Sequence, residues 1–271
     1  MKYIEEYLKI KTLIEESDAI VIGIGSGMSA SGGLNYTSND VLKDLYPEYH
    51  SKGFKHIFDV ISNYWVTNIN EENENDYWDF WTLHINNIRY KPGITKPYEL
   101  LHDIVKGKNY YIITTNGDSQ TQKAFGESIY APQGDYSRLQ CRVNCNNRLY
   151  DNKEFVEKYL NGEKEIPKCS CGEHLIPNLR CDDYFCEVYS LKNYDNYSDF
   201  IIRNKDKKVL LIEIGVGYNT PVIIRYPFDR MSTLDNITLV RINLDDAHTY
   251  GNNIGIEADI VSVLEKIKEL G

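Results

Sequence analysis

An apolar run that breaks into glycines and serines is the feature that most constrains this chain. Residues 18–24 read Asp-Ala-Ile-Val-Ile-Gly-Ile, and residues 25–33 read Gly-Ser-Gly-Met-Ser-Ala-Ser-Gly-Gly. A buried strand followed by bare backbone is how α/β proteins hold a pyrophosphate, because N–H groups at the start of the next helix can donate to the anion. The glycine spacing differs from the dinucleotide-binding fingerprint, so the loop alone is a weak indication of nucleotide binding.

A second apolar strand ends in polar side chains. Residues 110–114 are followed by Thr115, Asn116 and Asp118. In open α/β sheets, polar residues just beyond the carboxyl ends of strands line the ligand crevice. Further apolar runs at 208–214 and 238–243 alternate with helical patterns. The chain is therefore predicted to form an α/β fold with a Rossmann-like, doubly wound parallel sheet.

The two long segments between these strands predict a smaller inserted module, part helical and part zinc-ribbon-like. Residues 35–95 and 140–171 would form it, and residues 1–34, 96–139 and 172–271 would form the Rossmann-like domain. The aromatic cluster at 77–81 is expected to lie in the core of the helical part.

Composition narrows the class of partner. The 271 residues carry a net charge of -10 without a basic cluster, which argues against nucleic acid or an acidic membrane surface. The N-terminus lacks the apolar centre of a signal peptide, and no apolar run reaches membrane-spanning length. A cytoplasmic protein is expected.

Two close cysteine pairs predict a metal site. Cys141 and Cys145 are separated by three residues, and Cys169 and Cys171 by one. Four thiolates on two turns suit a structural zinc ion, although Cys-x-x-Cys is the commoner spacing. Cys181, Cys186 and His174 are further candidate ligands, and the alternative is a set of reduced, buried thiols.

The order of these features resembles the sirtuins, the NAD-consuming deacylases and ADP-ribosyltransferases. Their Gly-Ala-Gly-x-Ser-x-x-Ser-Gly motif is similar to residues 25–33, and their Thr-Gln-Asn-x-Asp motif to residues 114–118. The catalytic His-Gly of sirtuins corresponds to Gln133-Gly134, and the cysteine pairs follow in the family's order. The resemblance spans most of the chain and implies NAD as cosubstrate.

A particular branch is indicated by glutamine at the histidine position. The macrodomain-linked sirtuins share this glutamine, and residues 178–183 and 213–228 also resemble theirs. That resemblance implies ADP-ribosylation of a protein substrate, a lipoyl carrier related to the glycine-cleavage H protein. It also implies a separately encoded macrodomain that removes the mark.

Gln133 also bears on the chemistry. A glutamine side chain does not titrate near neutral pH, so it cannot serve as the general base that resolves an acyl intermediate. Departure of nicotinamide needs positioning and electrostatic support more than a base. ADP-ribosyl transfer is therefore favoured over deacylation with a displaced base, for which His102, His174 and His248 are candidates. NAD hydrolysis and NAD sensing without catalysis are two further hypotheses.

The resemblance assigns roles to particular residues. Asn116, Asp118 and Gln133 are the predicted catalytic residues, with Asn116 and Asp118 on the nicotinamide ribose and carboxamide. The family's phosphate-contacting arginine is absent, because Asn35-Tyr36-Thr37 stands in its place. Arg180 and Arg225 are expected at substrate or cofactor, or else in surface ion pairs. The predicted cofactor-binding residues are Gly25, Ser26, Gly27, Met28, Ser29, Thr115, Asn116, Asp118, Gly215, Val216, Gly217, Asn219, Arg225 and Asn243.

Overall fold

The computed structural model describes residues 3–270, in which the strands form two sheets. The large sheet has the order β3-β2-β1-β7-β8-β9, and the small one the order β5-β4-β6. The strands are β1 (Ala19–Ile24), β2 (Tyr110–Thr114), β3 (Ile129–Tyr130), β4 (Gly134–Cys141), β5 (Leu149–Asp151), β6 (Leu175–Leu179), β7 (Val209–Ile214), β8 (Ile237–Asn243) and β9 (Ile254–Glu257).

Every pairing within the large sheet is parallel, with β1 at its centre. Ile22 pairs with Ile112 of β2 on one side and with Ile212 of β7 on the other. All six residues of β1 and of β7 are buried, because helices cover both faces of the sheet. The predicted doubly wound, Rossmann-like sheet is confirmed.

The helices divide between the two faces of the large sheet and the inserted segment. Helices α1, α7 and α12 pack on one face, and α10 and α11 on the other. The helices are α1 (Ile4–Glu16), α2 (Ser26–Ser31), α3 (Asn39–Leu45), α4 (Pro47–Ser51), α5 (Ile57–Asn63), α6 (Glu74–Ile85), α7 (Lys96–Val105), α8 (Gln120–Phe125), α9 (Lys153–Leu160), α10 (Val188–Asn204), α11 (Arg225–Met231) and α12 (Ile260–Glu269), with one π-helical turn at Asn86–Tyr90.

The smaller module packs helices α3–α6 and α9 against the antiparallel small sheet. The aromatic residues of α6 lie in its core: Tyr77, Trp78, Phe80 and Trp81 are all fully buried. Residues 134–139 and 175–179 pair in the small sheet. We therefore propose that the small module includes these two strands, beyond the division predicted from the sequence.

None of the helices within residues 3–270 has both the length and the apolar character needed to cross a bilayer.

Candidate active site

A cavity of about 300 Å³ opens where the carboxyl ends of β1, β2 and β7 face the small sheet. This is the switch point of the large sheet, because the chain leaves β1 toward β2 on one side and later returns as β7 on the other. The lining residues are Gly25, Ser26, Thr115, Asn116, Gly117, Gln133, Tyr136, Leu179, Arg180, Val216, Gly217, Asn219 and Thr220. Residues predicted from four separate motifs thus meet at one cavity.

The glycine loop after β1 packs directly on the loop after β7. The Gly27 N–H donates to the Gly215 carbonyl oxygen at 2.9 Å. A Cβ at Gly25 would lie 2.5 Å from that same oxygen. Gly215 has φ +61°, and a Cβ there would lie 2.4 Å from the Met28 nitrogen. The glycines are therefore needed for contact between the two loops, and Met28 is fully buried behind the cavity wall.

Asn116 is held in place by three oxygens. Its Nδ2 lies 2.9 Å from the Gly25 carbonyl oxygen, 3.0 Å from Ser29 Oγ and 3.1 Å from the Tyr98 hydroxyl. Because Asn116 also lines the cavity, these contacts fix the orientation of an amide that a ligand would meet.

Asp118 lies behind the cavity rather than on its wall. Its carboxylate accepts hydrogen bonds from Ser29 Oγ and, at 2.9 Å, from the Gln120 N–H. Burial raises the pKa of Asp118, and these two hydrogen bonds oppose that rise. Ser29 thus connects Asp118 to Asn116, so Asp118 supports the site through its neighbours.

Gln133 presents a free side chain to the cavity. Its backbone carbonyl oxygen accepts from the backbone N–H of Arg180 at 3.0 Å. Within residues 3–270, no side-chain group donates to or accepts from its amide, which leaves that amide available to a ligand.

Arg180 lies on the cavity wall and also forms an ion pair. Its Nε donates to the Pro132 carbonyl oxygen at 2.9 Å, and its Nη2 pairs with Glu187. The guanidinium also lies 4.4 Å from the Phe185 ring centroid, while the residue lines the cavity. An ion pair and a place at the site are therefore compatible.

Arg225 and Asn243 support the loop after β7 from behind. Arg225 Nη2 pairs with Asp246 Oδ2 at 2.8 Å, and its Nη1 donates to the Val216 carbonyl oxygen at 3.3 Å. Asn243 Nδ2 donates to the same Val216 oxygen at 3.0 Å. Arg225 is buried and does not line the cavity. A direct cofactor contact by these two side chains stays a prediction.

Several site residues were not predicted from the sequence. Tyr98 belongs to the apolar face of α7. The helical pattern of this segment therefore predicted only that Tyr98 lies in the core. Tyr136 follows Gln133 by three residues and lines the cavity, and its ring packs 5.1 Å from that of His84. Burial lowers the pKa of His84 to about 3, so this histidine is neutral. None of the described lining residues is a histidine.

The four paired cysteines converge as predicted. The sulfur atoms of Cys141, Cys145, Cys169 and Cys171 all lie within 4.8 Å of one another. Cys141 and Cys171 are 3.7 Å apart, and Cys145 and Cys169 are 3.6 Å apart. A tetrahedral zinc ion with bonds of about 2.3 Å separates its sulfur ligands by about 3.8 Å. The cluster therefore fits a structural zinc ion, which four thiolates would enclose.

The further candidate ligands have other partners. His174 Nε2 lies 2.7 Å from Glu74 Oε2, and Cys186 Sγ lies 3.5 Å from Asn147 Oδ1. The sulfur of Cys181 is likewise outside the cluster. The four paired cysteines are thus the ones that fit zinc.

Comparison with known proteins agrees with this architecture. No family model matches the chain. It is 28% identical over 300 aligned residues to a protein ADP-ribosyltransferase of Staphylococcus aureus (strain Mu50 / ATCC 700699), covering 93% of this chain and 92% of that protein. It is 26% identical to a probable bifunctional ADP-ribose hydrolase/ADP-ribosyltransferase of Fusarium oxysporum f. sp. cubense, covering 85% of this chain and 41% of that protein.

The fold is also similar to solved structures. Sir2Tm bound to a propionylated peptide superposes with a TM-score of 0.63 at 19% identity, covering 100% of this chain and 99% of that one. A complex of a Sir2 homolog with NAD superposes with a TM-score of 0.62 at 18% identity, covering 97% of this chain and 93% of that one. The chain therefore has the sirtuin fold, as its motifs predicted, and the macrodomain-linked branch stays a prediction.

Proposed function

We propose that this sirtuin-fold protein is an NAD-dependent protein mono-ADP-ribosyltransferase. The observation that carries the proposal is the position of Gln133, which stands on the wall of the cavity beside Asn116 with a free, non-titrating amide. Similarity along nearly the whole chain to a protein of that name supports the same activity.

The reaction breaks the bond between nicotinamide and the ribose C1′ carbon. A nucleophilic side chain of the acceptor protein forms the new bond to C1′, nicotinamide leaves with the bonding electrons, and the acceptor's proton passes to solvent. The chain's own groups bind and orient the reactants. The backbone N–H groups of Ser26 and Gly217 would hold the pyrophosphate, and Asn219 would donate from the loop after β7. Gly25 would shape the first loop, because its own N–H donates to the Ile214 carbonyl oxygen at 3.0 Å.

Asn116 and Gln133 would act at the reacting end. The amide of Asn116 is fixed by Gly25, Ser29 and Tyr98, so it meets the nicotinamide ribose without reorganising. Gln133 would orient the ribose or the incoming nucleophile by hydrogen bonding. Thr115 would line the same end of the cavity. Asp118 would act indirectly, by holding Ser29 in place through a hydrogen bond.

The acceptor is proposed from the motifs alone. The branch that the chain resembles modifies a lipoyl carrier protein related to the glycine-cleavage H protein, and a separate macrodomain reverses the modification. We propose the same acceptor and the same reversal in the cytoplasm.

Deacylation is the second candidate function, because one solved sirtuin of this fold holds a propionylated peptide. It would require a base in place of Gln133. The three histidines that were candidates for that base, His102, His174 and His248, are all absent from the described cavity wall. Product analysis separates ADP-ribosyl transfer from NAD hydrolysis without an acceptor and from NAD sensing without turnover.

The test compares two glutamine variants with labelled NAD and a lipoylated carrier. Gln133→Ala should lower ADP-ribosyl transfer about ten- to a hundred-fold, since positioning at the reacting centre is lost. Gln122→Ala is the matched control, because Gln122 does not line the cavity. Equal transfer by both variants would contradict the role of Gln133. Release of nicotinamide without labelled protein would instead indicate hydrolysis.

A further inference from the structure

A second cavity, of about 590 Å³, is lined by an unusual number of cations. We call it the basic cleft and define it by Arg89, Lys91, Lys123 and Lys153, with Glu157 as its one lining carboxylate. It has no lining residue in common with the candidate active site. In a chain of net charge -10, such a local excess of positive charge calls for a physical reason.

Arg89 lies in the π-helical turn Asn86–Tyr90, which directly follows helix α6. The Lys91 N–H donates to the Asn86 carbonyl oxygen at 2.8 Å, five residues back, which widens this turn. Such turns often re-aim side chains at functional sites. The Arg89 side chain is only 19% exposed, and its Nε and Nη1 atoms are buried without a hydrogen-bond acceptor in residues 3–270.

The nearest carboxylate to Arg89 is already engaged. Asp135 Oδ2 lies 3.9 Å from Arg89 Nη1, beyond hydrogen-bond distance. That oxygen accepts from Ser119 Oγ, and Asp135 Oδ1 accepts from the Ser137 N–H at 2.6 Å. Arg89 is therefore a largely buried cation with unused donors. Buried charged donors are ordinarily satisfied, and an oxyanion with two acceptor oxygens suits a guanidinium best.

The three lysines of the cleft differ in exposure: Lys123 is partly buried, and the other two are exposed. Lys123 Nζ donates to the carbonyl oxygens of Arg89 and Pro92, which fixes its ammonium at the cleft. Lys91 and Lys153 are exposed, and Lys153 is within 3.9 Å of Glu157. The cleft thus has partly buried cations inside and exposed ones at its rim.

We propose that the basic cleft binds a small polyanion that carries two or more phosphate or carboxylate groups. A small ligand is favoured over an acidic protein segment because the Arg89 side chain is mostly covered, with only 19% of it exposed. The site is distinct from the NAD cavity, so its ligand would bind together with NAD.

The proposal is tested by calorimetric titration of the whole chain with pyrophosphate, and separately with citrate, at about 0.15 M salt. Because the cleft shares no lining residue with the candidate active site, substitutions in the cleft separate binding at one site from binding at the other. Arg89→Gln should weaken binding about ten- to a hundred-fold, the effect of losing charge-assisted hydrogen bonds. Lys55→Gln, which removes one exposed positive charge outside the cleft, should leave binding unchanged.

The exposed rim provides a second variant should Arg89→Gln fold poorly. The pair Lys91→Gln and Lys153→Gln should weaken binding about two- to five-fold, because exposed charges contribute less. Preference for pyrophosphate or for citrate identifies the kind of anion. Affinity that is the same in the cleft variants and in Lys55→Gln, or no measurable binding of either anion, would overturn the proposal.

Discussion

Asn116, Asp118 and Ser29 form one buried polar unit, completed by the Tyr98 hydroxyl. Ser29 Oγ contacts the Tyr98 hydroxyl at 2.8 Å and Asn116 Nδ2 at 3.0 Å. A network whose members satisfy one another fixes in advance the orientation of Asn116, the member that lines the cavity, so no reorganisation is needed at the moment of reaction. At the scale of the residue, the site is therefore an amide held by neighbours, rather than a set of groups that all reach the ligand.

His84 gives the chain a pH-dependent stability. It is fully buried, with Nδ1 at 2.8 Å from the Tyr46 hydroxyl, and burial lowers its pKa to about 3. Below a pH of about 6.5 the unfolded chain binds a proton at this residue and the folded chain does not. We expect the free energy of unfolding to fall by about 2 kcal/mol between pH 7 and pH 5 from this residue alone.

Urea titrations of the wild type and of His84→Gln at the two pH values measure this contribution. The variant keeps a hydrogen-bonding side chain but cannot titrate there, so its stability should fall less over the same interval. Identical losses in both proteins would show that His84 does not titrate between the folded and unfolded states as proposed.

At the scale of the element, the two glycine loops depend on each other for their conformation. Gly215 has a left-handed φ of +61° and lies against the backbone of Gly27 and Met28. We expect Gly215→Ala to lower the free energy of unfolding by about 3 kcal/mol or more and to abolish NAD binding. Gly33→Ala is the matched control: its φ is +93° but no atom lies within 4 Å, so the cost should be about 1 kcal/mol and binding should persist.

The cysteine-bearing turns would hold the small sheet through the zinc ion that their four sulfur atoms fit. Elemental analysis should find about one zinc ion per chain. Chelation, or Cys141→Ser, should lower the melting temperature by roughly 10 °C, because metal binding and folding of this module are linked. Cys186→Ser should leave the zinc content unchanged, since Cys186 is outside the cluster. A metal-free protein that melts at the same temperature would instead support buried thiols.

The sequence predicted the long central strands and missed the short ones. β1 and β7 are buried on both faces, so they appear as continuous apolar runs. β3 has two residues and β9 four, too few for a pattern. The strands of the small sheet were not predicted individually, because β4 carries mixed polar residues and is stabilised by pairing and by packing against the aromatic core rather than by apolar periodicity.

The same limit applies to the site. Residues at strand ends, such as Asn116, were predictable because parallel strands place their carboxyl ends at one edge. Tyr136 and Leu179 come from the small sheet, whose position over that edge no local pattern shows.

At the scale of the whole molecule, two sheets with different roles meet at one cavity. The large parallel sheet supplies the glycine loops and Asn116, and the small sheet and the turns beside it supply Gln133, Tyr136 and Arg180. NAD would be held mainly by the large sheet, and the acceptor protein would approach beside the small sheet. This arrangement makes the fate of the ADP-ribosyl group the central question.

Intact-mass spectrometry of a lipoylated H-like carrier, incubated with this protein and NAD, answers that question most directly. The account predicts a carrier that keeps its lipoyl group and gains one ADP-ribosyl group, with one free nicotinamide for each modification and no product from Asn116→Ala. A carrier that loses its lipoyl group, with the acyl group recovered on free ADP-ribose, would contradict it.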